Sequence, residues 1–241
     1  MIMIMIMIII LILIIIYVVN INFIYDLFDN TNIDFYVITL DKSIRKKNII
    51  EETEKNKLKL NIIEGINWKN INQDNLLKNK IIDIIFYDNN NKRDKEIGCY
   101  LSHFKIYNII KDNNKINNYS IILEDDFNLL SKDITNDINK ILQNMVNTNF
   151  DIIFLGNTFD NIGNKYKENI YHIDKNKETI GCFAYLINNS SINKIINQVN
   201  YIDEPIDSKI NSLIKTNNLI VYTIYPNLIN YKIEYPSEII N

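Results

Sequence analysis

The sequence predicts an α/β fold with a largely parallel sheet, on three observations. Short β-rich runs bounded by polar residues recur along the chain, and charged or amphipathic segments of helical period separate them. Such alternation argues for strands joined by helical crossovers. The chain has 241 residues, 47% of them apolar and 23% charged, enough for one substantial core.

The elements follow in order. Phe35–Leu40, "FYVITL", reads as a buried strand bounded by Asp34 and Asp41. The charged segment from Lys42 to about Asn56 reads as a helix with Ser43 placed to cap it. "KLKLNII" alternates strictly, as a half-exposed strand does, and "LLKNK" belongs to a short helix. "IIDIIFY" fits either a helix end or a strand. From Glu96, "EIGCYLSHFKIYNIIK" places Leu101, Phe104, Tyr107 and Ile110 at a spacing of three, an amphipathic helix. A strand at Ser120–Leu123, a polar helix near 133–146 and a strand within "FDIIFLGN" come next. Residues 160–178 are polar and read as a loop; "TIGCFAYLI" reads as a strand, "SSINKIINQV" as a capped helix, and the last strand precedes Pro226.

Residues 1–19, "MIMIMIMIIILILIIIYVV", carry no charge. As a helix they would extend about 28 Å, close to the ~30 Å hydrocarbon thickness of a bilayer. With neither a basic start nor a small-residue cleavage site, the run reads as an uncleaved signal anchor and a membrane location. The competing reading is a translated dinucleotide repeat. Orientation is unspecified, since the first basic residue is Lys42. The predicted organisation is an anchor over 1–25, a linker over 26–34 and one folded domain over 35–241.

A net charge of −3 argues against a protein that grips nucleic acid through a basic face. The two cysteines, Cys99 and Cys182, and two histidines, His103 and His172, read as too few and too scattered for a clustered-ligand zinc site. A Cys99–Cys182 bridge stays open for a domain in an oxidising compartment.

The segment "YSIILEDDF" ends a strand on Glu124, Asp125 and Asp126. Three adjacent carboxylates repel one another, so they occupy a solvated turn or await a cation. In extended backbone Glu124 and Asp126 point to one side and Asp125 to the other. Ligands of open α/β sheets bind beyond the carboxyl ends of strands, where such a pair suits Mg²⁺ or Mn²⁺.

Taken together, "FYVITLDKSIR", "EIGCYLSH", "IILEDDF", "DIIFLG", "GCFAYLI", "EPID" and "YPNLI" resemble glycosyltransferase family 25, which includes lipooligosaccharide and collagen galactosyltransferases. The resemblance runs from about Phe35 to Ile239, and its most specific piece is Glu96–His103 about twenty residues before the acidic triplet. It implies a GT-A-like fold, a role in glycan or lipopolysaccharide biosynthesis, and transfer of a hexose, galactose or glucose, from a UDP-sugar to a glycan or protein hydroxyl. It also implies Mn²⁺ or Mg²⁺ at the acidic element, with Asp126 as first ligand and Glu124 or Asp125 contributing. An inverting reaction needs a carboxylate base. Asp207 in "EPIDSKI" is the candidate, with Glu204 behind it; the competing reading is a helix started by Pro205 with Asp207 in its first turn. His103 is a candidate for diphosphate contact or for ordering the site. Asp41, Arg45, Gly98 and Ser102 are candidates for donor binding, and Tyr185 for stacking on a sugar or for the core. A binding module of the same fold without turnover, or another metal-dependent α/β nucleotide enzyme, are the alternatives.

Overall fold

The computed structural model describes residues 10, 12–15, 33–40, 43–83, 86, 93–113, 119–158, 162–177 and 181–232. Most of the expected anchor lies outside these residues, as do the expected linker, except Ile33 and Asp34, and Asp41. Residues 10 and 12–15 are helical, and among the described residues no helix is long and apolar enough to cross a membrane.

An eight-stranded sheet organises the fold, in the order β2-β1-β3-β8-β5-β9-β7-β6. The strands are β1 (Ile33–Thr39), β2 (Leu60–Glu64), β3 (Tyr119–Glu124), β5 (Ile152–Phe154), β6 (Ile162–Lys167), β7 (Ile170–Ile173), β8 (Ala184–Asn188) and β9 (Val221–Ile224). A separate antiparallel pair joins β4 (Phe127–Leu129) to β10 (Ile229–Tyr231). The helices are α1 (Ser43–Asn56), α2 (Gln73–Lys78), α3 (Asp94–Asp112), α4 (Ile134–Asn144), α5 (Ile192–Gln198) and α6 (Ile206–Lys215).

The sheet is mixed rather than largely parallel. β2, β1 and β3 run parallel, as do β5 and β9, but β8 lies antiparallel between β3 and β5, and β7 runs against β9. Strand direction is set by how the chain returns, and apolar runs such as "AYLI" read alike either way. The segment expected as a polar loop at 160–178 instead contains the β6–β7 hairpin. Its edge strand exposes Asn164 and Lys165 and turns Tyr166 inward against His172 and Tyr222, at ring separations of 5.4 and 5.0 Å. Polar edge strands are the ones that composition disguises. The first strand begins at Ile33, two residues before the expected domain boundary. The helices expected near 43, 76, 96, 133 and 192 are all present, and so is the helix after Pro205 that was the competing reading for Asp207.

Alternation along the strands builds two apolar layers. Tyr36, Ile122 and Tyr185 face one side, covered by α3, α5 and α6; Phe35, Val37, Ile121 and Leu123 face the other, with Ile49 of α1 and Ile134, Ile138 and Ile141 of α4. From β1 the chain passes through α1 to β2 on one flank, then returns through α3 to β3 on the other. The crevice between β1 and β3 is therefore a topological switch point, where ligands of open sheets bind beyond the strand ends. Ile38 and Glu124 are register partners, so both strands finish level at that crevice.

Candidate active site

A cleft opens at this switch point. Ile38, Thr39 and Leu40 line it from the end of β1, and Ile66 from the loop after β2. Its volume is ≈ 100 Å³, and it opens to solvent. Glu124, Asp125 and Asp126 form its acidic wall and Arg45 stands beside them. The α3 wall consists of Lys95, Gly98, Cys99, Ser102 and His103. These occupy helical positions i, i+3, i+4, i+7 and i+8, one face of the helix, which explains why "EIGCYLSH" acts as a unit.

The acidic turn is held from two sides. Asn48 of α1, fully buried, donates through Nδ2 to the carbonyls of Asp125 at 2.9 Å and Phe127 at 3.1 Å. From the other side the backbone N–H of Lys232, just past β10, donates to the Asp126 carbonyl at 2.8 Å. Glu52, also buried, pairs with Lys232 Nζ at 3.5 Å. The turn thus bends the three carboxylates into one cleft rather than splitting them between the faces of a strand.

Each carboxylate meets a different environment. Asp125 is buried and pairs with the Arg45 guanidinium, which extends to Asp126 Oδ2 at 3.7 Å, and with the Thr39 hydroxyl. Burial raises the Asp125 carboxyl from its ordinary value while Arg45 opposes the rise. Asp126 is pushed up to about 7, first by burial and then by the Glu124 charge, against the pull of Arg45. Its Oδ1 is buried without a hydrogen-bond partner. A partnerless carboxylate oxygen whose charged form is disfavoured marks a shortage of positive charge at that point. Oxygen donors from Asp126 and Glu124 fit a hard divalent ion such as Mg²⁺ or Mn²⁺. Asp125 is the member of the triplet already satisfied by protein.

On the facing helix, Ser102 Oγ donates to the Gly98 carbonyl and accepts from the Ile66 N–H, both at 2.7 Å. The hydroxyl therefore ties the β2 loop to α3. His103 is fully buried, its Nδ1 2.7 Å from the Tyr185 hydroxyl and its Nε2 3.6 Å from Glu124 Oε1. Tyr185 in turn meets the Tyr107 hydroxyl at 2.8 Å. Of its two expected roles Tyr185 takes the core one, because β8 is an interior strand covered on both faces.

Arg45, Gly98, Ser102, His103 and the acidic triplet, predicted separately, thus meet in one cleft. Asp207 and Glu204 are not among its lining residues. Asp207 lies in the first turn of α6 behind Pro205, its Oδ1 accepting from the Ser208 N–H at 2.8 Å, and Glu204 accepts from Ser212 Oγ at 3.1 Å. Burial raises the thiols of Cys99 and Cys182, and the charges of Glu124 and Asp207 add to the rise. Both cysteines are free thiols rather than a bridge. Sequence reasoning missed Lys95, whose position four residues before Cys99 was the available signal, and Asn48, for which no local signal exists. The cysteines and histidines read as too few and too scattered for a clustered-ligand zinc site; α3 brings one of each, Cys99 and His103, to Glu124.

No curated protein matches the sequence. The sequence model of glycosyltransferase family 25 (LPS biosynthesis protein) matches residues 32–210, a span from β1 into α6 that contains the whole cleft wall. With that match over most of its length, the chain belongs to glycosyltransferase family 25.

Proposed function

We propose that the protein is a metal-dependent hexosyltransferase of GT-A type, moving galactose or glucose from a UDP-sugar to a hydroxyl of a glycan or protein acceptor. The observation that carries this reading is Asp126: a buried, partnerless carboxylate oxygen beside Glu124, at the mouth of a switch-point cleft. When bound there, Mn²⁺ or Mg²⁺ supplies Lewis-acid stabilisation of charge on the departing diphosphate.

The chain's own residues do the rest. Asp126 and Glu124 would hold the ion, while Asp125 fixes the Arg45 guanidinium at the rim, where it would face phosphate oxygens. Lys95 adds a second cation from α3, and Gly98 leaves that wall without a side chain. His103 is oriented by Tyr185 so that Nε2 points at the acidic wall. Asp207 is the base that takes the acceptor proton, with Glu204 behind it; the family match, which spans both residues, supports this role. The apolar run of residues 1–19 supports attachment of the enzyme to a membrane.

The test is release of UDP from several UDP-sugars by the purified protein, with and without Mn²⁺, in the presence of glycan acceptors. Metal-stimulated release that is lost in Asp126→Asn, with folding retained by circular dichroism, is expected. Undiminished turnover in that variant refutes the metal assignment. No release with any donor favours a binding module of the same fold.

A further inference from the structure

The α3 wall holds a second donor set, of different chemistry. Cys99 and His103 stand one helical turn apart and project from the same face, and the end of β3 sets Glu124 opposite them. One donor atom from each, a sulfur, an imidazole nitrogen and a carboxylate oxygen, lie within 4.8 Å of one another. A second observation is independent of that proximity. His103 is fully buried, and its Nε2 has no hydrogen-bond partner although it faces Glu124. Buried polar atoms left unpartnered call for an explanation. Its other nitrogen, Nδ1, is held by the Tyr185 hydroxyl, itself backed by Tyr107. An imidazole anchored through one nitrogen with the other left open is the arrangement seen at metal-ligating histidines.

We propose that Cys99, His103 and Glu124 form a binding site for a thiophilic divalent ion of the Zn²⁺ type. A sulfur–nitrogen–oxygen donor set suits such an ion, whereas Mg²⁺ and Ca²⁺ take oxygen ligands. All three residues line the cleft, so the fourth coordination position opens towards it. Cys99 binds as thiolate, its proton passing to solvent, with no change of oxidation state. Glu124 belongs to this site and to the hard-ion site at Asp126. Occupancy by the thiophilic ion therefore withdraws Glu124 from the donor's metal and inhibits transfer, a consequence that rests on the transferase reading above.

Cobalt gives a readout separate from turnover. The full chain, stripped with chelator and titrated with Co²⁺, is expected to develop a thiolate-to-cobalt charge-transfer band with tetrahedral ligand-field absorption. Cys99→Ala should lose that band, while Cys182→Ala and Asp126→Asn keep it. Tyr185→Phe, which frees the Nδ1 side of the ring, should weaken cobalt binding about 10- to 100-fold. Absence of the band in the wild-type chain overturns the site, and so does a band that survives Cys99→Ala. Zn²⁺ should inhibit Mn²⁺-supported UDP release, and Cys99→Ala should shift the inhibitory concentration upward. A cobalt band without zinc inhibition upholds the site and overturns its inhibitory role. Turnover without the band leaves the transferase reading intact and removes only this one.

Discussion

Asp126 is where the chemistry of the site is most exposed to measurement. Its carboxyl stands near 7 in the folded chain against an ordinary 3.8, with burial and Glu124 raising it, Arg45 lowering it and Asp125 adding to the rise. A group raised on folding binds its proton more tightly in the native state. Its contribution to stability is therefore full below pH 3.8 and is lost as pH rises through about 7. In chelator, the urea midpoint of the wild-type protein should fall across that window more steeply than that of Asp126→Asn. Added Mn²⁺ should restore the wild-type midpoint at the alkaline end by binding only the native state. Parallel profiles for the two proteins would show that Asp126 titrates normally. On the residues alone the triplet stayed open between a solvated turn and a cation site, and the choice of Asp126 came from the family resemblance. The division of labour among the three carboxylates was not legible. It depends on Arg45, far away in the chain, whose pairing with Asp125 leaves Asp126 as the needy member.

Among the helices, α3 was readable in its span and its functional face, and α1 in its span alone. The period-three apolar pattern found α3, and its polar face then supplied the cleft wall. For α1 the sequence gives a charged helix, and nothing local says that Asn48 is fully buried or that it grips the turn after β3. Replacing Asn48 by Ala strands the carbonyls of Asp125 and Phe127, at a cost of about 1–3 kcal/mol. That loss should appear in urea unfolding, together with a fall in kcat larger than any rise in donor KM. Unchanged stability would mean that water replaces the amide at no cost. The β6–β7 hairpin escaped detection for the opposite reason: its strands look like a loop because the sheet edge tolerates lysine and asparagine.

At the scale of the molecule, α/β class and the positions of β1, β2, β3, β5, β8 and β9 were visible, whereas strand direction and the strands β4, β6, β7 and β10 were not. Reversal of β8 puts Phe183 beside the site end of β3, and the Phe183 carbonyl accepts from the Glu124 N–H at 2.9 Å. The β10–β4 pair lies outside the main sheet, with β4 inside residues 32–210 and β10 beyond them, and it braces the acidic turn. A chain ended at Leu228 loses β10 and both ties made by Lys232; a chain ended at Lys232 keeps them. The shorter chain should lose Mn²⁺-supported turnover and become more sensitive to protease, while the longer one should not. Full turnover from the shorter chain would show that Asn48 alone suffices.

If turnover needs the brace at Lys232, the protein becomes competent only late in its own synthesis. The carboxylates leave the ribosome at the middle of the chain, and the N–H that secures the Asp126 carbonyl follows after the rest of the sheet has been made. A nascent chain halted between these points carries the charges of a transferase but not their final spacing.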